Sequence, residues 1–152
     1  MWYNKVVKDL GNLPDCITYF DGELAEARKK DLSIKGARLE SVAAQIPGIV
    51  EHRYNQLQEI EAILEYLNIQ LRQIRKEMFG KYLEHHDRAL TSRDAGTYAD
   101  GDPDVISMAI LINQFALLRN QWIGLHKALE AKNFQLNNIV KLRCAGLDDA
   151  TL

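Results

Sequence analysis

The chain has 152 residues, the length of one domain, and its formal net charge of -2 excludes a protein that is basic over its whole surface and grips any polyanion. Its two cysteines, Cys16 and Cys144, share no CxxC or Cys/His spacing; this excludes a disulfide scaffold and reads as free thiols in a reducing cytoplasm. The most apolar stretch, 105–112, is broken by Asn113 and Gln114 and falls short of the roughly 20 residues of a membrane-spanning helix, so no membrane partner is expected.

In chain order, residues 1–30 are the hardest to assign. They are punctuated by Gly11, Pro14, Asp21 and Gly22, and no apolar signal segment follows Met1-Trp2-Tyr3-Asn4-Lys5. A short helix is expected over 21–30, with Asp21 as its cap and Glu23 and Glu26 in its first turns. A second helix is expected over 33–45, ending at Ile46 because a residue before proline is disfavoured in the α region. Pro47 then opens the clearest element, a helix over 47–88 that would be roughly 60 Å long at 1.5 Å per residue. Its apolar residues Leu57, Ile60, Leu64, Leu67, Leu71, Ile74 and Met78 alternate spacings of three and four, a sustained heptad. Val50 and Tyr54 extend the stripe backwards, and Tyr82 extends it forwards.

Residues 91–102 have the composition of a loop. Asp102-Pro103-Asp104 is a strong helix start, with the cap, the first-turn proline and the first-turn acid in order. The final helix, 103–143, repeats the heptad through Met108, Leu111, Phe115, Leu118, Trp122, Leu125, Leu129, Leu136 and Ile139. The expected fold is therefore all-α: one domain over 1–152, built on a long, coiled-coil-like antiparallel helical hairpin with short N-terminal helices. Ile110, Ile112, Leu117, Ile123, Phe134 and Val140 lie off the main stripe and are more than one partner helix can cover. Two readings stand side by side: contacts between copies through Leu118, Trp122, Leu125, Leu129, Phe134, Leu136, Ile139 and Val140, or cover by the N-terminal helices of the same chain.

No enzyme emerges from the motifs. His52, His85, His86 and His126 each lack the glutamate three residues earlier that a carboxylate metal bundle needs. Counted from Asp100 as a calcium loop, the sixth residue is Val105 and the twelfth Leu111, where glycine and glutamate are required. His85-His86-Asp87 ends a helix, but adjacent histidines point about 100° apart and serve one ion poorly. No nucleophile elbow or phosphate-cradling glycine loop is present, and neither metal nor cofactor is expected.

What stands out is basic clustering. Arg72, Arg75 and Lys76 share one helical face at i, i+3, i+4, followed by Lys81, Arg88 and Arg93; over 72–93 six Lys or Arg face three acids. Over 126–143, Lys127, Lys132, Lys141 and Arg143 face Glu130 alone. Composition alone also permits solvated faces with ordinary i, i+4 pairs. With Phe79, Tyr82 and Phe134 nearby, the same clusters suit a single strand, with cations on phosphates and rings under bases.

Several pieces in this order carry a family likeness: Asp31-Leu32-Ser33-Ile34; Ile46-Pro47 followed by His52-Arg53-Tyr54; a long helix ending in a Lys/aromatic segment; YADGDPDVI at 98–106; and LEAKNFQLNNIVKLRCAG at 129–146. Over 31–146 the chain resembles the UvsY-type recombination mediators of T-even-like phages, with 1–30 as an extension. The resemblance implies a hexameric or heptameric ring that binds single-stranded DNA in the cytoplasm of the infected bacterial host. It further implies destabilisation of the phage single-strand-binding protein and loading of the phage RecA-like recombinase. Lys76 matches the family's DNA-contacting lysine, and Arg75 stands for its basic partner. The family's arginine falls on Met78, and its Tyr-Tyr-Ser-Gly becomes Lys81-Tyr82-Leu83-Glu84. The expected strand contacts are Arg72, Arg75, Lys76, Lys81, Arg88, Lys132, Lys141 and Arg143. A helical scaffold or adaptor without nucleic-acid binding is the alternative.

Overall fold

The computed structural model describes residues 1–34, 38–85 and 90–147, and these fold into five α-helices with no strand. They are α1 (Trp2–Lys8), α2 (Leu13–Lys30), α3 (Leu39–His85), α4 (Ser92–Asp100) and α5 (Pro103–Cys144), with a 3-10 turn at Leu10–Asn12 joining the first two. The heptad helices α3 and α5 form the expected antiparallel hairpin. At one end Val42 and Ile46 of α3 bury against Leu136 of α5. At the other, Met78 of α3 clusters with Val105 of α5 and Ala99 of α4.

The N-terminal region corrects the expectation most. In place of a helix starting at a capping Asp21, α2 runs unbroken through Asp21 and Gly22. Its buried residues Leu13, Cys16, Phe20, Leu24 and Ala27 recur at helical spacing and enter the main core. Interior glycine costs about 1 kcal/mol relative to alanine, and burying Phe20 and Leu24 returns more than that. Phe20 meets Trp122 of α5 edge to face, with centroids 5.9 Å apart. Residues 1–30 are therefore the third wall of the bundle. At the start of α1, the Tyr3 backbone N–H donates to Glu59 Oε1 at 2.9 Å, supplying a partner for one open donor of that helix. The Tyr66 hydroxyl donates to the Val7 carbonyl at 3.3 Å.

No boundary falls at Pro47 either: α3 begins at Leu39 and contains the proline. Interior proline costs about 3 kcal/mol. The turn before it carries Val42 and Ile46, each buried, and such side chains return roughly 1.5–3 kcal/mol apiece. Packing against α5 thus outweighs the local preference. Ser33 and Ile34 precede the helix, so the expected helix over 33–45 starts six residues late.

The stretch expected as a loop over 91–102 contains α4. Thr91 caps it, its Oγ1 accepting from the Asp94 N–H at 3.2 Å while its hydroxyl donates to Asp94 Oδ2 at 2.6 Å. Ala95 and Ala99 are fully buried on its inner face. The start of α5 is as expected: Asp102 caps it through the Asp104 N–H at 2.9 Å, with Pro103 in the first turn.

Candidate nucleic-acid interface

Antiparallel packing sends the two basic clusters to opposite ends of the hairpin. Arg72, Arg75, Lys76 and Lys81 lie towards the end of α3, beside α4. Lys141 and Arg143 end α5, whose neighbouring turns pack on Val42 at the start of α3. From Val42 to Arg75 the helix rises about 50 Å. One protomer therefore carries two separate patches.

At the α3/α4 end the cations are exposed, and part of their charge is already paired. Arg72 Nη2 lies 3.1 Å from Glu65 Oε1. Arg75 grips Asp100 of α4 with two bonds, Nε to Oδ1 at 2.6 Å and Nη2 to Oδ2 at 3.0 Å. Lys76 and Lys81 line a shallow open depression with Gln73, Glu77, Gly80 and Glu84, and neither lysine makes an ion pair among the described residues. Two tyrosines adjoin this cluster. Tyr82 stacks on the half-exposed Tyr98 with centroids 5.6 Å apart, and its hydroxyl donates to Asp102 Oδ2 at 3.0 Å. That hydrogen bond to a carboxylate is the main reason the Tyr82 phenol is raised above its ordinary pKa. The carboxylate of Asp102 therefore caps α5 and anchors α3 together. Arg88, also expected here, lies outside the described residues, as do His86 and Asp87.

At the other end, Lys127, Lys141 and Arg143 are exposed and unpaired among the described residues. Lys132 is not part of that surface, which corrects its expected role as a strand contact. It is 7% exposed, and its Nζ donates to the Asp31 carbonyl at 2.6 Å and the Ser33 carbonyl at 3.1 Å. The ammonium thus satisfies backbone oxygens just past the end of α2, where a cation is favoured.

Arg53, beside it, has a similar structural task that its sequence context did not reveal. Its guanidinium is buried and donates from Nε to Asp31 Oδ2 at 2.7 Å, and from Nη1 to Glu23 Oε2 at 2.7 Å and Gln56 Oε1 at 2.8 Å. Gln56 Nε2 closes the ring to Glu23 at 3.1 Å. The hydrogen bonds from Gln56 and then Arg53 hold the Glu23 carboxyl below its ordinary pKa. Three of the segments that carry the family likeness, 31–34, 52–54 and 129–146, meet in this clamp.

The expected contacts between copies divide in the same way. Leu118, Trp122, Leu125, Leu129 and Leu136 are buried inside one chain, covered by α2 and α3, and have no face left for a second copy. That corrects their assignment to an oligomer interface: the in-chain reading holds for them, and for Ile112 and Ile123, which pack partly buried against the core. Ile139 is partly covered. Phe134 and Val140 stay exposed, as do Ile106, Ile110 and Leu117 on the outer side of α5.

Among the described residues no group of three or more His, Cys, Asp or Glu could hold a metal ion, and no helix is long and apolar enough to cross a membrane. No family model, curated protein or solved structure matches this chain.

Proposed function

We propose that this chain is a non-catalytic recombination mediator of the UvsY type. In this reading it binds single-stranded DNA, destabilises a phage single-strand-binding protein on the strand and promotes loading of a RecA-like recombinase. It acts in the cytoplasm of the infected bacterial host as a ring of six or seven copies.

The observation that carries the proposal is the exposed Arg72, Arg75, Lys76 and Lys81 on the outer face of α3, next to the Tyr82–Tyr98 stack. Cations for phosphates beside rings for bases are what sequence-tolerant strand binding uses. One copy of so small a patch binds weakly, and a ring gains by presenting it repeatedly at high effective concentration. Phe134 and Val140, with Ile106, Ile110 and Leu117, are the apolar side chains left for contacts between copies.

The test is fluorescence anisotropy with labelled oligo-dT across a salt series, together with mass by light scattering. Wild type binds at low salt as a multimer. Reversing both charges in Arg75→Glu/Lys76→Glu abolishes binding and leaves the mass unchanged; unaltered affinity would reject this site. The second reading, a helical scaffold or adaptor, is favoured by the exposed Ile106, Ile110 and Leu117, which have no role in gripping a strand. A multimer with no affinity for oligo-dT at low salt selects it.

A further inference from the structure

We propose that Asp100 is a built-in competitor for phosphate, holding Arg75 occupied until a strand displaces it. This rests on the strand-binding reading above and adds a residue that sets the affinity of the site. Arg75 presents Nε and Nη2 to the two oxygens of Asp100 in a planar fork, at 2.6 and 3.0 Å. Carboxylate and phosphate are taken by guanidinium in this same geometry, so the two are alternatives at one set of donors. Both side chains are more than half exposed, 57% and 54%, so water screens the pair and it opens at little cost.

The position of Asp100 matters as well. It is the last residue of α4, where the helix dipole disfavours an anion, so the carboxylate depends on Arg75 for its compensation. Releasing it does not undock the helix. Thr91 and Asp94 still cap the other end, Ala95 and Ala99 remain buried, Tyr82 still stacks on Tyr98, and the Tyr82 hydroxyl still reaches Asp102. The exchange is thus a side-chain movement on a fixed frame. A strand first meets Lys76 and Lys81, whose charges no acid pairs among the described residues, and Arg75 then trades Asp100 for a phosphate oxygen.

The test is a mutant cycle on the full chain, read by anisotropy with oligo-dT. Asp100→Asn keeps the shape and removes the competing charge, and should tighten binding about two- to fivefold at low salt, the range an exposed pair can supply. The gain should shrink as salt rises, because screening already weakens the pair in the wild type. It should vanish when Arg75 is absent, so that Arg75→Gln and Arg75→Gln/Asp100→Asn bind alike. Asp104→Asn, which removes an equal charge from the first turn of α5, should leave affinity unchanged. Asp100→Ser should reproduce the gain, and unaltered circular dichroism confirms that α4 has not been lost.

A wild type that binds, with an Asp100→Asn variant that binds no tighter, overturns the competitor role and leaves the strand-binding reading standing. So does a gain that persists without Arg75 or is matched by Asp104→Asn, since bulk charge then explains it. If neither wild type nor Asp100→Asn binds at low salt, the strand-binding reading falls and takes this inference with it.

Discussion

Replacing Arg53 by methionine removes the guanidinium that bridges Glu23 and Asp31 while keeping most of the apolar stem in place. The Arg53 side chain is 9% exposed, and those of Glu23 and Asp31 are 27% and 16% exposed. Breaking a fully buried ion pair by deleting one partner costs roughly 3–5 kcal/mol, mostly from the charge left behind. Here the orphaned carboxylates retain some access to water, which places the expected loss at the low end, about 3 kcal/mol. With a urea m-value of about 2 kcal/mol/M, the midpoint should fall by roughly 1.5 M.

The assay is urea unfolding followed by helical circular dichroism. Arg53→Met/Glu23→Gln/Asp31→Asn should regain at least half of the loss, because the orphaned charges are gone. A loss below about 1 kcal/mol in the single variant would refute the reasoning, since it would mean that the clamp is solvated and worth no more than a surface pair. A triple variant no more stable than Arg53→Met would refute it too, by placing the loss in packing.

The same clamp sets an acid limit. The folded Glu23 carboxyl lies below its ordinary value, so its stabilisation is complete above the unfolded pKa of about 4.3 and is lost as pH falls through the lower folded value. Glu23→Gln should accordingly flatten the decline in stability below about pH 4, measured by urea midpoints at several pH values. The Trp122 indole N–H is buried without a hydrogen-bond partner among the described residues. Trp122→Phe removes that unmet donor, which should offset lost packing and keep the cost near or below about 1 kcal/mol rather than the 3–5 of a full aromatic truncation. Burial, and then the nearby Glu59 charge, push the Cys16 thiol up to about 12, whereas Cys144 is exposed. A thiol reagent at neutral pH should titrate one cysteine in the folded chain and both in urea.

Where periodicity was long, the fold was legible. The stripe from Leu57 to Met78 and its counterpart from Met108 to Leu129 define α3 and α5, and Asp102-Pro103-Asp104 marks the start of α5 correctly. Elsewhere a helix-breaking residue sits inside a stripe that continues through it. Gly22 and Pro47 each carry a local penalty that buried neighbours outweigh, Phe20 and Leu24 in one case and Val42 and Ile46 in the other. The helix α4 carried two readable signals, a Thr91-x-x-Asp94 capping box and the i, i+4 pair Ala95 and Ala99, beneath a loop-like composition. At the candidate site, exposure of Arg72, Arg75 and Lys76 followed from their shared face. The partners of Arg75 and Lys132 did not, because Asp100 ends another helix, the Asp31 carbonyl lies just past the end of α2, and no local spacing links them.

The placement of charge makes salt dependence the sharpest measure of how the protein would hold a strand. With a net charge of -2 the whole chain offers a polyanion no long-range attraction. At the α3/α4 end Arg75, Lys76 and Lys81 lie on the last turns of α3, which also carry Tyr82, with Arg72 turned to Glu65. Three phosphate contacts on single-stranded DNA give a slope of log K against log salt of about −2. The second patch lies about 50 Å away along the hairpin, so a short strand on one copy cannot add it cheaply. Both patches of one copy together supply about −4 on a long strand, so a slope steeper than about −6 requires more than one copy to hold the strand at once. We expect that steeper value for the assembled protein on long oligo-dT, falling towards about −2 on an oligonucleotide short enough to reach one copy. A slope near −2 on long strands, from a protein that light scattering shows to be a multimer, would mean that assembly does not repeat the patch along the DNA. The case for a strand-binding ring would then be lost even if the chain binds.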